Sequence, residues 1–390
     1  MSATRRGFFE LELLDDRYPA LHGARVLAIL AVIQLHVTGE LDRVLHMPMP
    51  AWLIERSHAV FFGMDCFFVL SGFLIGSILL RSIETTGKLE VRRFYLRRVF
   101  RTFPSYYVVL TIIAVWFQLS PTQRAHLPWE YAFLGNFGYE RRSDLAMQWG
   151  WSLSLEEQFY LLAPLMFFAL KRLPSDRARI VALVIAILSA LMVRVAVYVL
   201  GAPWEPNAFE DAIYFRTITR FDTILAGVLL AVIERRYGDA LRRALTYPAN
   251  RAMLMVPALG CAWVLVDPDF VGGRSEMIVN LFRWGTLTSL MYLALVPLLI
   301  HGDGPIVRWL SRPIFRRLAT LGYGVYLVHI PLLVHVIAPL VVRMFFAATP
   351  IPVIWIVTFA LTVALAFVVA YAMHVLIEKP SLRLRDRLAG

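Results

Sequence analysis

The sequence predicts an all-α membrane protein, a bundle of about ten transmembrane helices with both termini cytoplasmic. Three observations carry that prediction. The chain of 390 residues is 59% hydrophobic and only 17% charged, where a soluble domain has roughly 45–50% apolar residues, and its mean hydropathy is +0.63. Ten stretches are long and apolar enough to cross a bilayer as helices. The segments between them alternate between strongly and weakly basic.

The ten stretches lie near 24–40, 59–80, 103–119, 152–170, 180–200, 213–233, 252–267, 277–300, 319–342 and 351–377. The sixth and seventh are the weakest, and the seventh, Ala252 to Asp267, is short for a span. One set of loops comprises the N-terminal segment through Arg25, 81–101, 171–179, 235–251, 308–317 and the C-terminal tail. It holds 28 of the 39 Lys and Arg residues, and the alternate set holds nine. The positive-inside rule places the first set, and so both termini, in the cytoplasm. An even number of spans requires the same. The domain plan is an N-terminal tail over 1–20, a transmembrane domain over 21–380 and a C-terminal tail over 381–390. Neither a secretory signal nor an appended soluble domain is expected.

The formal net charge of +11 reads as loop charge that sets orientation, with the lipid bilayer as its partner and no nucleic acid. Cys66 and Cys261 fall in apolar runs and no CxxC occurs, so neither a disulfide nor a metal site is expected. There is no internal repeat and no inverted pair of broken helices of the kind found in many transporters.

Ionisable groups inside a span are costly, and they either carry function or anchor the helix at an interface. Arg25 and His36 both lie in the first span. Their separation puts them on nearly one helix face with ~16 Å of rise between them. The orientation places Arg25 near the cytoplasmic face and His36 towards the outer one. Asp65 opens the second span in Gly63-Met-Asp-Cys-Phe-Phe-Val-Leu-Ser71-Gly72. At the depth of His36 it would accept from the ring N–H and fix the tautomer; as an interfacial N-cap it would do neither. Gly63 and Gly72 permit close helix approach.

Arg-x10-His followed by Gly-x-x-x-Phe-Phe-x-x-Ser-Gly strongly resembles the acyltransferase 3 family. These are multi-span membrane enzymes that O-acylate bacterial surface polysaccharides, peptidoglycan, Nod factors and macrolides. The resemblance runs over nearly the whole chain, and it makes Arg25 and His36 the leading catalytic or substrate-binding candidates. The family's Arg-x-x-Arg element is matched by Arg98 and Arg101, in the most basic loop. Arginine forks suit the phosphates of acyl-CoA, while Arg92 and Arg93 read as positive-inside anchors.

Trp151-Ser-Leu-Ser-Leu-Glu156-Glu-Gln-Phe-Tyr160 is similar to the family's Trp-Ser-Leu-Ser-x-Glu-x-x-Phe-Tyr motif. Glu156 matches its glutamate and shares a helix face with Ser152 and Tyr160. Glu157 reads as the partner of Ser154 in a capping box. Arg220-x-Asp222 with Gly227 is similar to another family element, and a membrane Arg–Asp pair is more often structural than catalytic. Gly322-Tyr323-x-x-Tyr326-Leu-x-His329-x-Pro331 is similar to a family motif in which serine stands at the first position. His329 reads either as a buried ring satisfied by a neighbour or as a substrate contact. Arg194 and Arg283 match no motif, and Arg194 reads as a snorkelling side chain.

The resemblance implies an acyl-CoA-dependent O-acyltransferase of the bacterial cytoplasmic (inner) membrane. It binds no cofactor. Acyl-CoA is its co-substrate, acetyl-CoA being favoured because acetyl is common in the family. The acceptor is a hydroxyl of an extracytoplasmic or lipid-linked glycan. His36 acts as general base or acyl acceptor, oriented by Asp65 or Glu156. Arg25, Arg98 and Arg101 meet the CoA phosphates, and Tyr160, Arg220, Asp222, Tyr326 and His329 are secondary candidates. Ser71 reads as helix packing rather than as a nucleophile. The rival class is a transporter of a glycan, a lipid-linked precursor or a small metabolite, which intramembrane ionisable groups also suit. The missing repeat symmetry and the clustering of motifs on spans 1, 2, 4 and 9 favour the enzyme.

Overall fold

A computed structural model of the chain describes residues 10–45, 49–58, 60–137, 139, 141–267, 274–345 and 349–389. The first nine residues of the expected N-terminal tail lie outside them. No strand occurs among the described residues. Ten long helices follow one another: α1 Pro19–Leu45, α2 Gly63–Thr86, α3 Val91–Trp116, α4 Trp151–Lys171, α5 Asp176–Gly201, α6 Thr217–Ala244, α7 Pro248–Val266, α8 Glu276–His301, α9 Pro313–Met344 and α10 Ile351–Leu388. Among the described residues nine of them are long and apolar enough to cross a membrane. The exception, α6, coincides with the sixth predicted stretch but carries Arg220, Asp222, Glu234 and Arg235. The short seventh stretch is a helix of 19 residues with most of its surface exposed, as an apolar helix facing lipid tails would be. The chain is an all-α, multi-pass membrane protein.

The helices fall into two compact units. The first comprises Met1–Gly63, Leu96–Val109 and Gly304–Gly390, with α1, α9 and α10 packed on one another. Small residues allow this: a Cβ at Gly324 on α9 would meet Ala370 on α10 at 3.0 Å. The extended segment before α1 is pinned by side chains of α9 and α10. Leu14 receives Arg316 Nε at its carbonyl (2.8 Å), Glu12 N–H donates to His374 Nε2 (3.2 Å), and Lys379 Nζ donates to the Glu10 carbonyl (2.6 Å). The stretch expected as a C-terminal tail from 381 continues α10 as helix. Its Leu382 is buried and Ser381 donates to the Phe100 carbonyl.

The second unit comprises Met64–Tyr95 and Leu110–Asp303, in which α5 packs on α6 and α8 on both α6 and α7. Helix α3 gives its middle to the first unit and its two ends to the second. The close approach expected at Gly72 is present. A Cβ there would strike the Ile224 carbonyl, and one at Gly227 would strike the Val69 carbonyl, so α2 and α6 cross with backbones touching. Helix α8 is broken at Arg283–Leu287, where Gly285 takes φ +134°. Two side-chain caps start helices by local chemistry. Ser120 and Gln123 form a capping box for Pro121–Tyr131, and Ser175 accepts from Ala178 N–H at the start of α5.

Candidate active site

The first unit holds the histidine pair. His36 lies on α1, half-buried, and its Nδ1 is 3.0 Å from Nε2 of His329 on α9. The ring centroids are 5.0 Å apart and the planes are tilted by 40°. His329 is fully buried, and its Nδ1 is 2.6 Å from the carbonyl of Tyr326, one turn earlier. The Tyr326 ring is buried against it, with centroids 5.4 Å apart. Two residues to either side of His36, and so on the opposite face of the helix, α1 is anchored by a polar network. Gln34 Nε2 donates to the Ser57 carbonyl, Thr38 and Ser57 hydroxyls are 2.7 Å apart, and Trp355 Nε1 donates to Thr38 (2.8 Å). The helix is thereby held in rotation as well as in depth. Tyr323 turns elsewhere and donates to the Thr102 carbonyl. Gly322, where the motif has serine, faces open space. Arg25, Arg98 and Arg101 belong to this unit, each half-buried, whereas Arg92 and Arg93 are exposed and Arg93 pairs with Glu90.

The second unit holds Asp65 and Glu156, the residues expected to orient His36. Asp65 is fully buried and receives Arg220 Nη2 at 2.7 Å. Arg220 lies over the Tyr214 ring at 4.5 Å. Asp222 does not pair with its helix neighbour Arg220; it receives Arg194 Nη2 at 2.8 Å. Arg194 does not snorkel. It is fully buried and donates also to Thr286 and to the carbonyls of Thr219 and Leu281. The break in α8 makes this possible, because Gly285 brings its backbone against Arg194 and Asp222 where a side chain would not fit.

Glu156 on α4 accepts from Ser71 Oγ on α2 at 2.6 Å, and Tyr160 OH lies 3.1 Å from the same Ser71 oxygen and 3.4 Å from Glu156 Oε2. Ser71 is therefore more than packing: it and Tyr160 place two hydroxyls on one carboxylate. The expected capping box of Ser154 and Glu157 is not formed. A 3₁₀ turn over Gln148–Gly150 starts α4 at Trp151, four residues before that box would, so Ser154 has no free N–H to cap and, among the described residues, its buried hydroxyl has no partner.

Sequence reasoning missed the polar order in the segment between α3 and α4. Glu130 is buried, and its two carboxylate oxygens accept the N–H groups of Ala146 and Met147 at 2.8 Å each. Burial pushes its pKa up from 4.5 to about 7 despite those two bonds. Gln158 donates to Asn136 and to the Phe133 carbonyl and accepts from Thr217. Arg216 donates to the Tyr139 carbonyl and covers the Tyr139 ring at 4.1 Å, and burial pushes that phenol up to about 12. The one signal in the sequence was the Gly135-Asn136 turn. Among the described residues no group of three His, Cys, Asp or Glu side chains is placed to hold a metal ion.

Comparison with known proteins gives the chain's relatives. The chain is 27% identical over 329 residues to YrhL of Bacillus subtilis, provisionally named a peptidoglycan O-acetyltransferase, covering 79% of this chain and 47% of that protein. It is 25% identical over 333 residues to the peptidoglycan O-acetyltransferase OatA of Listeria monocytogenes, covering 79% and 48%. A protein of Staphylococcus aureus strain COL, provisionally named an O-acetyltransferase, is 27% identical over 228 residues, 55% of this chain and 34% of its own. The chain thus spans about half the length, or less, of these curated relatives. No solved structure matches it. The family model described as an acyltransferase domain matches residues 18–373, nearly the whole chain, and the chain belongs to the acyltransferase 3 family.

Proposed function

We propose that this protein is a membrane O-acyltransferase, moving an acyl group, acetyl in the first instance, from cytoplasmic acyl-CoA to a hydroxyl of an extracytoplasmic or lipid-linked glycan. The observation that carries the reading is the hydrogen-bonded pair of His36 and His329 inside the membrane-spanning part of an acyltransferase-family chain. Two relatives named for peptidoglycan O-acetylation support a glycan as acceptor. The orientation follows the loop charge, with both termini cytoplasmic in a bacterial inner membrane.

In this mechanism His36 takes the proton of the acceptor hydroxyl, whose oxygen bonds to the thioester carbonyl carbon. The C–S bond breaks, and the leaving thiolate takes the proton back from the imidazolium. In the covalent variant His36 itself accepts the acyl group before the hydroxyl does. Arg25, Arg98 and Arg101 hold CoA phosphates. Glu156, with Ser71 and Tyr160, holds hydroxyls of the acceptor side. Asp65 and Arg220 keep the second unit in shape.

The test is acyl transfer by the purified full-length chain in proteoliposomes with labelled acetyl-CoA and glycan acceptor. Wild-type protein should consume acetyl-CoA and label the glycan, and a correctly inserted His36→Ala protein should do neither. Normal turnover by His36→Ala would refute the mechanism, and movement of glycan without acetyl-CoA consumption would make the protein a transporter. Arg98→Ala with Arg101→Ala should raise the KM for acetyl-CoA with little change in kcat.

A further inference from the structure

The extended segment 10–17 lies like a strap across the ends of α9 and α10 and is held by its main chain. Lys379 Nζ donates to the Glu10 carbonyl, Glu12 N–H to His374 Nε2, Leu14 N–H to Thr320 Oγ1 (3.4 Å), and Arg316 Nε to the Leu14 carbonyl. Asp16 adds a charged contact between two helices. Its Oδ2 is 3.4 Å from Arg316 Nη1 on α9, and its Oδ1 is 3.4 Å from Nε2 of the buried His22 on α1. Arg25 follows His22 by three residues and so stands on the same face of α1. The Phe100 carbonyl, between Arg98 and Arg101, accepts from Ser381, two residues past Lys379. The strap, Arg316 and the three arginines proposed for the donor phosphates therefore lie at one end of the first unit, where α1 and α9 begin and α10 ends.

We infer that Asp16 is a placeholder for a donor phosphate. Segment 10–17 is the closed lid of the acyl-CoA site, and Arg316, released from Leu14 and Asp16 when the lid opens, joins Arg25 in holding the phosphate. The inference rests on the proposed use of acyl-CoA as donor. Asp16 is exposed and Arg316 partly so, and an ion pair that open to solvent is weak and readily exchanged. A guanidinium holds a phosphate more firmly than one carboxylate oxygen at 3.4 Å, because two parallel N–H groups meet two charged oxygens. Arginines gathered at one place also repel one another, and the carboxylate carried by the strap relieves part of that repulsion until the phosphates arrive. The strap is suited to leave, because the bonds that hold it are made to its backbone by side chains of α9 and α10 and no apolar residue of 10–17 is fully buried.

The experiment uses the full-length chain in lipid nanodiscs with CoA as the probe. Calorimetry should give a Kd for CoA about two- to fivefold lower in Asp16→Asn than in wild type, and about tenfold or more higher in Arg316→Ala. Arg317→Ala removes the same charge from the next, exposed position and should change the Kd by less than about twofold. Two members of a merely structural ion pair would act in the same direction. The lid itself is read by amide exchange: saturating CoA should speed exchange at Glu12 and Leu14 by about tenfold or more as their bonds to His374 and Thr320 open. Unchanged or slower exchange at those amides would overturn the inference, as would equal or weaker CoA binding in Asp16→Asn, or an Arg317→Ala loss as large as that of Arg316→Ala. Should Arg316→Ala fail to insert, the Asp16→Asn affinity and the exchange at Glu12 and Leu14 still decide. The two levels separate: wild-type protein that binds no CoA removes the proposed donor together with the lid, whereas wild-type protein that binds CoA with both amides unchanged removes the lid alone.

Discussion

Arg220 pairs with Asp65 on another helix, 155 positions away in the chain, and not with Asp222 on its own. Residues two apart on a helix point in nearly opposite directions, so Arg-x-Asp cannot close on itself. Each member instead reaches a different partner, Asp65 for Arg220 and Arg194 for Asp222, and all four are fully buried. Removing one member of such a pair leaves an uncompensated charge, at a cost of about 3–5 kcal/mol. Arg220→Met should therefore lower the apparent Tm in detergent sharply, and adding Asp65→Asn should recover much of it. Equal melting of the single and double variants would show that the charge pair is not what holds α2 to α6.

Gly285 makes a second, steric prediction. Its φ of +134° is poorly open to other residues, and a Cβ would press on Asp222 and Arg194 at once. Gly285→Ala should cost about 1–3 kcal/mol from the backbone alone, more with the displaced ion pair, and should reduce the amount of folded protein in the membrane. Gly322→Ala is the control: it lies within α9 with nothing within 4 Å, and should be neutral or stabilising by up to about 1 kcal/mol. Melting temperatures of the two variants side by side decide the matter.

The sequence made the helices legible because hydropathy alone marks a span: all ten predicted stretches coincide with a long helix. The site was legible only as a set of residues. Span 1 and span 9 announce His36 and His329 by motif, but no periodicity relates two residues 293 positions apart, so their meeting was invisible. The pairing of Asp65 with Arg220, 155 positions away, was invisible for the same reason. The start of α4 was misjudged because the apparent capping box at Ser154 competes with a 3₁₀ turn of Trp149 and Gly150, whose burial fixes the helix entry earlier. The break in α8 rests on one glycine in an apolar run, and glycine within a membrane helix is common.

Glu130 supplies a pH dependence whose sign can be worked out. Its folded pKa is about 7 against an ordinary 4.5, because burial opposes the charge more than the two amide bonds favour it. The native state therefore binds more protons than the unfolded one between those values. Its contribution is full below about pH 4.5 and is lost as the pH rises through about 7, a change on the order of 3 kcal/mol at about 1.4 kcal/mol per unit. Amide exchange at Ala146 and Met147, corrected for the intrinsic rate, should show protection falling between pH 5 and 8. Glu130→Gln cannot ionise and should flatten that fall. Protection that rises over the same range in the wild type would mean that the amide bonds dominate.

The contact of Ser71 with Glu156 separates two roles for the serine. At 2.6 Å the hydroxyl donates to a carboxylate, and such charge-assisted bonds are short and strong. A Glu156 that holds acceptor hydroxyls needs Ser71 only as one of two groups fixing it, the other being Tyr160 at 3.4 Å. Ser71→Ala should then reduce turnover by about tenfold, the low end for a hydrogen bond to a charged group, because Tyr160 still holds the carboxylate, while Glu156→Ala should reduce it by about 10²-fold or more. A serine that carried the acyl group would invert this order: Ser71→Ala would abolish transfer, and wild-type protein quenched in turnover would show an acyl ester on the Ser71 peptide by mass spectrometry. With His36 as the base, the quenched wild-type peptide should be unmodified and the ranking of the two alanine variants should hold.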